Sequence, residues 1–398
     1  MTFNKNTKRI IFVTDYVKVG GSRTFLNDLL KECYKAKIYV EVIFFSKEIV
    51  DDEEYKSSRF NFIKIPSLNY LFTFYRFFSL ISWISKFKKH NTVILTDLFF
   101  PAFSLILIKK FFRIKTNIVY QFHGFDSYEQ QSRAIYENIY KSKHYLFSQI
   151  LKKIIERFVL RNVDEVICFS NYSKSLVMKE LKNFKNISVI NPGYSSIFGL
   201  NKFTKKEYRQ QIGLSNEAKV ILYIGRIEPR KGIFNFFNEL EKNLDFSKKY
   251  TILFVSSFTD SSFAIDLFKL SKKTNYISNI LFINNPPRKD IDKFYYASDL
   301  MILPSLDLET FGFVTLEAMA CDLPTVGFDI GANEDLINKN LLVDRKSGMK
   351  GIIDKIDYYF SLENKKKRLI ISSLKNKTND YTYKNYVSNL DKYFTKLS

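Results

Sequence analysis

The chain has 398 residues, with 62 Lys plus Arg against 41 Asp plus Glu, a formal net charge of +21. Hydrophobic residues make up 46% and charged residues 26%, near globular averages, which excludes a wholly disordered chain and predicts about two or three domains. Cys33, Cys168 and Cys321 are too far apart for a zinc ribbon or a CxxC pair and read as reduced thiols of a cytosolic protein, while three scattered histidines (His90, His123, His144) leave little for a transition metal.

The apolar run at the basic N-terminus, about four residues, is too short for a signal-peptide core. No stretch reaches the roughly 18 charge-free residues of a spanning helix; residues 68–84 come nearest and are interrupted by Arg76. From the start, Arg9–Thr14 reads as a strand, followed by Gly20-Gly21 and a helical pattern to about Lys35. Tyr39–Phe45, Phe60–Ile65, Thr92–Thr96, Asn117–Phe122, Glu165–Ser170 and Ile187–Ile190 continue the strand series, with helix-length material between most of them. The turn Asn191-Pro192-Gly193 ends it. A second series follows at Val220–Ile224, Thr251–Ser256, Ile280–Ile283, Leu300–Leu303 and Thr325–Phe328, and the pattern over 379–398 is helical. Strand–helix alternation predicts parallel sheets with helices on both faces. The fold class is α/β, with two Rossmann-like doubly wound domains at 1–195 and 196–380, a cleft between them, and a last helix, about 380–398, that packs back onto the first domain.

Two segments carry candidate chemistry. In Ile224–Gly232 (IGRIEPRKG), Arg226, Arg230 and Lys231 follow a strand end and precede a helix, a setting that attracts diphosphate. The same spacing also describes a solvated basic turn. In Leu303–Glu317 (LPSLDLETFGFVTLE), Glu309 precedes Phe311-Gly312-Phe313, and a helix begins near Val314 with Glu317 about one turn in. Two such carboxylates can each grip a pair of sugar hydroxyls; a capped helix with surface acids has the same pattern. His123, after a strand and before Gly124, is either a structural hydrogen-bonder or a group facing a ligand. Asp290-Ile291-Asp292 imitates a metal-binding DxD but stands at a helix start, where acids are ordinary, so no metal is expected.

These segments together resemble glycosyltransferase family 4, the group 1 retaining sugar-nucleotide transferases of GT-B fold. Glu309 and Glu317 stand eight apart, as in that family's paired-glutamate motif, with LEAMAC (Leu316–Cys321) after them. Gly331-Ala332-Asn333-Glu334 resembles its GGxxE loop, GRIEPRKG its Gly-Arg…Lys-Gly motif, and Gly20-Gly21, His123 in QFHGFDS, Ser170 in CFSNYSK and INPGY fit in order from about residue 10 to 340. The resemblance implies that Arg226 and Lys231 hold the donor diphosphate, with Glu317 on the ribose and Glu309 on the transferred sugar. It also places the N–H groups around Phe313, Val314 and Thr315 on the phosphate, Gly20 and Gly21 beside it, and His123 by the reacting carbon. Phe311 and Gly312 shape the donor loop, and Ile283, Asn284 and Asn285 the base pocket. Two departures stand out: Asn284 occupies a usual Gly position, where a left-handed backbone is the expectation, and Ala332 replaces the second Gly of GGxxE.

The implied partners are a nucleotide-diphosphate sugar, UDP-sugar first, and a glycan or lipid-linked acceptor, with no cofactor. The leading alternatives are a basic nucleic-acid-binding protein, against which no helix-turn-helix, zinc-finger or RNP pattern is found, and a GT-B relative acting as an epimerase or non-catalytic subunit. Charge concentrates in the first half, with 31 Lys plus Arg against 17 Asp plus Glu over residues 1–195. An anionic membrane surface is therefore an expected partner, met through Lys86, Lys88, Lys89, Lys109, Lys110 and Arg113, with the aromatic stretches 70–84 and 98–112 inserting shallowly if exposed. Such an enzyme is cytoplasmic, peripheral on the inner face of the membrane.

Overall fold

The computed structural model describes residues 9–15, 21–46, 60–64, 92–128, 142–181, 186–243, 250–256, 279–307 and 309–397, with the single positions 80, 131, 267 and 269. The chain divides into two compact units: residues 1–127, 141–193 and 383–398 in the first, and 128–140 and 194–382 in the second.

The first unit carries β1 (Arg9–Asp15), β2 (Tyr39–Ser46), β3 (Phe60–Lys64), β4 (Thr92–Thr96), β5 (Asn117–Phe122), β6 (Glu165–Cys168) and β7 (Ile187–Val189). They form one sheet in the order β3-β2-β1-β4-β5-β6-β7, every pairing parallel. Parallel strands are covered on both faces, so they read as continuous apolar runs; all five residues of β4 are buried. Helices α1 (Gly21–Lys35), α2 (Phe99–Phe111), α3 (Lys143–Asn162) and α4 (Asn171–Glu180) connect them. The C-terminal helix, Tyr383–Leu397, belongs to this unit: Tyr393 Oη donates to Glu165 at 2.5 Å, and Asn117 Nδ2 donates to the Leu397 carbonyl at 3.0 Å.

The second unit pairs β8 (Lys219–Ile224), β9 (Tyr250–Ser256), β10 (Ile280–Asn284), β11 (Leu300–Leu303), β12 (Thr325–Phe328) and β13 (Leu342–Val343) in the order β10-β9-β8-β11-β12-β13, again all parallel. Its helices are α5 (Lys205–Gln211), α6 (Ile233–Asn243), α7 (Asp292–Ala297), α8 (Phe313–Ala320), α9 (Asn333–Leu336), α10 (Gly348–Ser361) and α11 (Asn364–Thr378). The strand series read from the sequence is present in both units; β13, two residues long, is an addition. In each sheet the strand order reverses once, between β1 and β4 and between β8 and β11. Ligands of open α/β sheets bind outside the carboxyl ends of strands at such a switch point.

The expected aromatic membrane contacts are corrected in part. The stretch 98–112 is α2, and Phe99, Pro101, Leu105, Ile106 and Ile108 are buried in the core of the first unit. The run is apolar because it packs on the sheet and on α3; Phe111 at its end is exposed. Lys109 is committed to Asp164 at 2.6 Å, whose carboxylate also accepts from the Ile118 amide. The stretch 70–84, apart from buried Leu80, and Lys86, Lys88 and Lys89 lie outside the described residues. Cys33, Cys168 and Cys321 are buried free thiols; burial pushes the first two up to about 12. No helix among the described residues is long and apolar enough to cross a membrane.

Candidate active site

The site in the second unit is built on the loops that follow β8 and β11. After β8 the chain turns at Gly225 (φ +148°), and the carbonyl of Gly225 is held by Ser256 Oγ at 2.6 Å. The basic turn ends at Gly232, whose φ of +67° already favours glycine. A Cβ there would lie 2.0 Å from the Pro304 carbonyl oxygen, so only glycine lets the two switch-point loops approach. The Leu306 amide donates to the Arg230 carbonyl at 2.8 Å and locks the contact.

That approach brings Lys231 onto Glu309, 78 residues away in sequence: Nζ lies 2.6 Å from Oε1. Ser305 Oγ donates to the same oxygen, and Glu309 is 4% exposed. Arg226 and Arg230 both pair with Glu228, at 2.9 and 3.0 Å, with Arg226 largely exposed and Arg230 buried. The three cations of the turn therefore divide: Lys231 faces the glutamate loop, and the two arginines share a carboxylate within the turn.

Gly312 (φ +89°) caps α8. A helix start leaves its first N–H groups without intrahelical acceptors, and here they belong to Phe313 and Val314. The Thr315 amide donates to the Gly312 carbonyl at 3.1 Å, while its hydroxyl is buried with no partner among the described residues. Phe311 is buried against Phe313 and Tyr381 and anchors the loop. One turn into α8, Glu317 accepts from Arg288 Nη2 on Oε1 and from Tyr295 Oη on Oε2, both at 2.6 Å. The Arg288 guanidinium also stacks over Phe198, 5.0 Å from the ring centre. Each carboxylate oxygen can accept a second hydrogen bond, so Glu317 is fixed in place and keeps acceptor capacity.

Arg288, Tyr295 and Ser305 were not legible as site residues. They are ordinary polar residues in loops and on α7 until the fold brings them to the glutamates. At the β10 end the left-handed residue is Asn285 (φ +44°), with its amide donating to the Ser256 carbonyl at 2.8 Å; Asn284 is the last residue of the strand. The expectation of a left-handed Asn284 is thus shifted by one position, because strand pairing with Ser256 holds Asn284 extended. Ile283 is the strand residue before it. In the GGxxE-like loop, Gly331 has φ +61° but Ala332 has φ −82°, so the alanine is unstrained, and its amide donates to the Glu309 carbonyl at 2.8 Å. Asp292 opens α7 and accepts from the Lys293 amide; the described residues contain no group of three or more potential metal ligands.

In the first unit, His123 follows β5 with its ring edge-on to Phe169 and Phe25. Burial lowers its pKa to about 4, so the imidazole is neutral at ordinary pH. Gln121 links it to the C-terminal helix: Tyr386 Oη donates to Gln121 Oε1 at 3.3 Å, and Gln121 Nε2 lies 3.2 Å from His123 Nε2. An amide nitrogen can only donate, so Nε2 is the acceptor and the ring proton sits on Nδ1. Asp97 follows β4 at the same edge; burial and nearby Asp15 raise its carboxyl to about 6 against a hydrogen bond from Thr14. Gly21 opens α1, and Gly20 lies outside the described residues. Ser170 is the N-cap of α4, in a reciprocal capping box with Ser173.

Comparison with known proteins accounts for this arrangement. Residues 19–196 match the model described as Glycosyltransferase Family 4, and residues 204–375 the model described as Glycosyl transferases group 1. A D-inositol 3-phosphate glycosyltransferase of Catenulispora acidiphila is 28% identical over 154 residues, 36% of this chain and 35% of that protein. The chain spans 35–40% of the length of the first curated relatives it matches. In fold, it is similar to Anabaena HepE in complex with UDP and glucose (TM-score 0.75, 16% identity, 98% of this chain and 100% of that one). It is likewise similar to WaaG, a glycosyltransferase involved in lipopolysaccharide biosynthesis (TM-score 0.72, 14% identity, 97% and 99%). With both halves matched in order and two Rossmann-like units of the GT-B type, the chain belongs to the group 1 glycosyltransferases, family 4.

Proposed function

We propose that the chain is a retaining, metal-independent glycosyltransferase that moves a sugar from a nucleotide-diphosphate sugar, UDP-sugar first, to a cell-surface glycan. Lipopolysaccharide, capsule or another lipid-linked oligosaccharide is the acceptor class. The observation that carries this reading is the ion pair between Lys231 and Glu309 beside the start of α8. It brings a phosphate-binding cation, a hydroxyl-binding carboxylate and a helix start to one place, with Glu317 one turn on.

The residues divide the work by charge. Breaking the bond between the sugar carbon and the diphosphate leaves its electron pair on phosphate. Lys231, Arg226 and the N–H groups at the start of α8 stabilise that charge, which is the work a divalent metal does elsewhere. Glu309 holds the hydroxyls of the transferred sugar, and Glu317, set by Arg288 and Tyr295, holds the ribose. A neutral His123 suits a place beside a carbon that becomes electron-poor, since an imidazolium there would oppose the reaction. The acceptor is reached at an anionic membrane surface on the cytoplasmic side.

A panel of nucleotide diphosphates and their sugars, read by thermal shift, tests the donor, because a ligand that binds only the folded chain stabilises it in proportion to saturation. UDP and one UDP-sugar should give the largest shifts, unchanged by chelator. Product anomer analysis by NMR then reads retention. No shift with any nucleotide, or a shift that needs Mg²⁺, overturns the reading.

A further inference from the structure

We infer that the exposed face of α3 is a membrane-docking surface for anionic lipid. Leu146, Phe147, Ile150, Leu151 and Ile154 on this one helix are 49%, 64%, 59%, 41% and 57% exposed. At about 100° per residue these positions fall on one side of the helix, opposite the side on which Ile155, Glu156, Val159 and Leu160 are buried in the core. The pattern is the reverse of α2, whose apolar residues face inward.

The exposed charges of α3 itself are of one sign, and one of them, Arg157, pairs with Glu180 of α4. Lys143 and Arg161 lie in line with it, and Lys153 flanks it, all exposed. The helix has a single acidic residue, Glu156, which is buried and accepts from Ser127 Oγ at 2.7 Å. The exposed half of α3 is thus apolar and cationic with no carboxylate, the composition of a helix that lies in a lipid interface with its apolar face among the acyl chains and its cations at the headgroups. A protein partner matched to this face would need its own acids opposite the lysines, whereas anionic headgroups supply them at every orientation. The inference deepens the acceptor side of the proposed function and rests on it only for the reason to visit a membrane. It adds α3 to the contacts expected from the sequence, of which 98–112 is core and 70–84, apart from Leu80, lies outside the described residues.

Flotation of the full chain with phosphatidylglycerol or phosphatidylcholine vesicles tests it. Binding should be strong on the anionic vesicles, weaker in high salt and slight on the neutral ones. About 1 kcal/mol per cation near the surface converts to roughly fivefold, so Lys143→Glu/Lys153→Glu should lose at least about 25-fold. Phe147→Ser/Ile150→Ser should lose binding as well, including the part that survives salt. Lys365→Glu/Lys366→Glu, an equal charge change at exposed positions of α11, should bind nearly as the wild type does. Equal losses in the α3 and α11 variants would show diffuse charge only and overturn the inference, as would unchanged binding in both α3 variants. Self-association of the wild type that Phe147→Ser/Ile150→Ser abolishes, with no flotation of either, would make the face an interface between copies and overturn it too. Thermal shift with UDP on the same variants separates the two readings: an intact shift with lost flotation supports the surface, and a missing shift in the wild type faults the donor assignment alone.

Discussion

The two units end their sheets in chemically opposite ways. At the β8/β11 switch point, carboxylates are met by cations or phenols over long sequence distances: Lys231 with Glu309, Arg288 and Tyr295 with Glu317. At the β1/β4 edge and the neighbouring end of β5, burial disfavours the charged forms of His123 and Asp97. His123 sits among aromatic rings and an amide, and the Asp97 carboxyl is raised to about 6 by burial. The difference teaches where charge is wanted. A departing diphosphate needs fixed opposite charge, and such charge is held in advance by ion pairs that a ligand can share or replace. On the proposed function, the reacting sugar carbon is met by a neutral imidazole that brings no competing charge.

The largest expected effect breaks the charged side. Glu309→Ala should abolish transfer while leaving the thermal shift with UDP largely intact, since its carboxylate is assigned to the sugar. Wild-type turnover in this variant would sink the assignment. Gly232→Ala should instead damage the unit itself. Its methyl would meet the Pro304 oxygen at 2.0 Å, and with the positive φ a loss of about 3 kcal/mol or more is expected in chemical denaturation. Lys231→Ala should keep the fold and lose about 2–4 kcal/mol of transition-state stabilisation, measured as kcat/KM. Near-normal rates would show that Arg226 and the helix start suffice for the phosphate.

A smaller effect separates positioning from contact. Arg288→Ala removes one of two hydrogen-bond partners of Glu317 and should weaken UDP binding by about 1–2 kcal/mol, seen as a higher KM with a modest change in kcat. Arg288→Lys should recover only part, because a lysine lacks the planar guanidinium that reaches the carboxylate while its carbon lies over the Phe198 ring. An equal loss for UDP and for unrelated thermal stability would mark Arg288 as structural.

The fold was readable because both faces of parallel strands are buried, so runs such as Thr92–Thr96 and Val220–Ile224 stand out without a partner to consult. β13 was not, because its two residues carry no period. At the site, the spacing of Glu309, Gly312 and Lys231 next to strand ends also described a basic turn and a capped helix, and the fold adds that Lys231 meets Glu309. Arg288 and Tyr295 were invisible because nothing local distinguishes a loop arginine that meets a carboxylate 29 residues on from one that meets water. The same limit applies to the stretch 98–112, expected to insert shallowly if exposed: composition does not show that α2 is apolar because it is core. α3 mixes Phe, Ile and Lys in one stretch, and only the placement of Ile155, Val159 and Leu160 shows which side is turned outward.

The smallest effect in the wild type is on pH dependence, and it arises because the two burial-shifted groups of the first unit oppose each other. His123 titrates at about 4 when folded against 6.5 unfolded. Between these values the unfolded chain binds more protons, so this group's contribution to stability falls as pH drops from 6.5 to 4. Asp97 titrates at about 6 folded against 3.8 unfolded. Between those values the folded chain binds more protons, so its contribution falls as pH rises from 3.8 to 6. The windows nearly coincide and the slopes have opposite sign, so together the pair should leave little net dependence. Each single variant, compared with wild type, reports the group it removes. The stability of Asp97→Asn relative to wild type should worsen steadily as pH is lowered from about 6 to 3.8, and that of His123→Gln should worsen as pH is raised from about 4 to 6.5. Differences taken against the wild type at each pH cancel the carboxylates common to all three proteins. Parallel curves for the two variants would mean that at least one group is not shifted by burial, and the contrast between the two sheet ends would then rest on the ion pairs of the second unit alone.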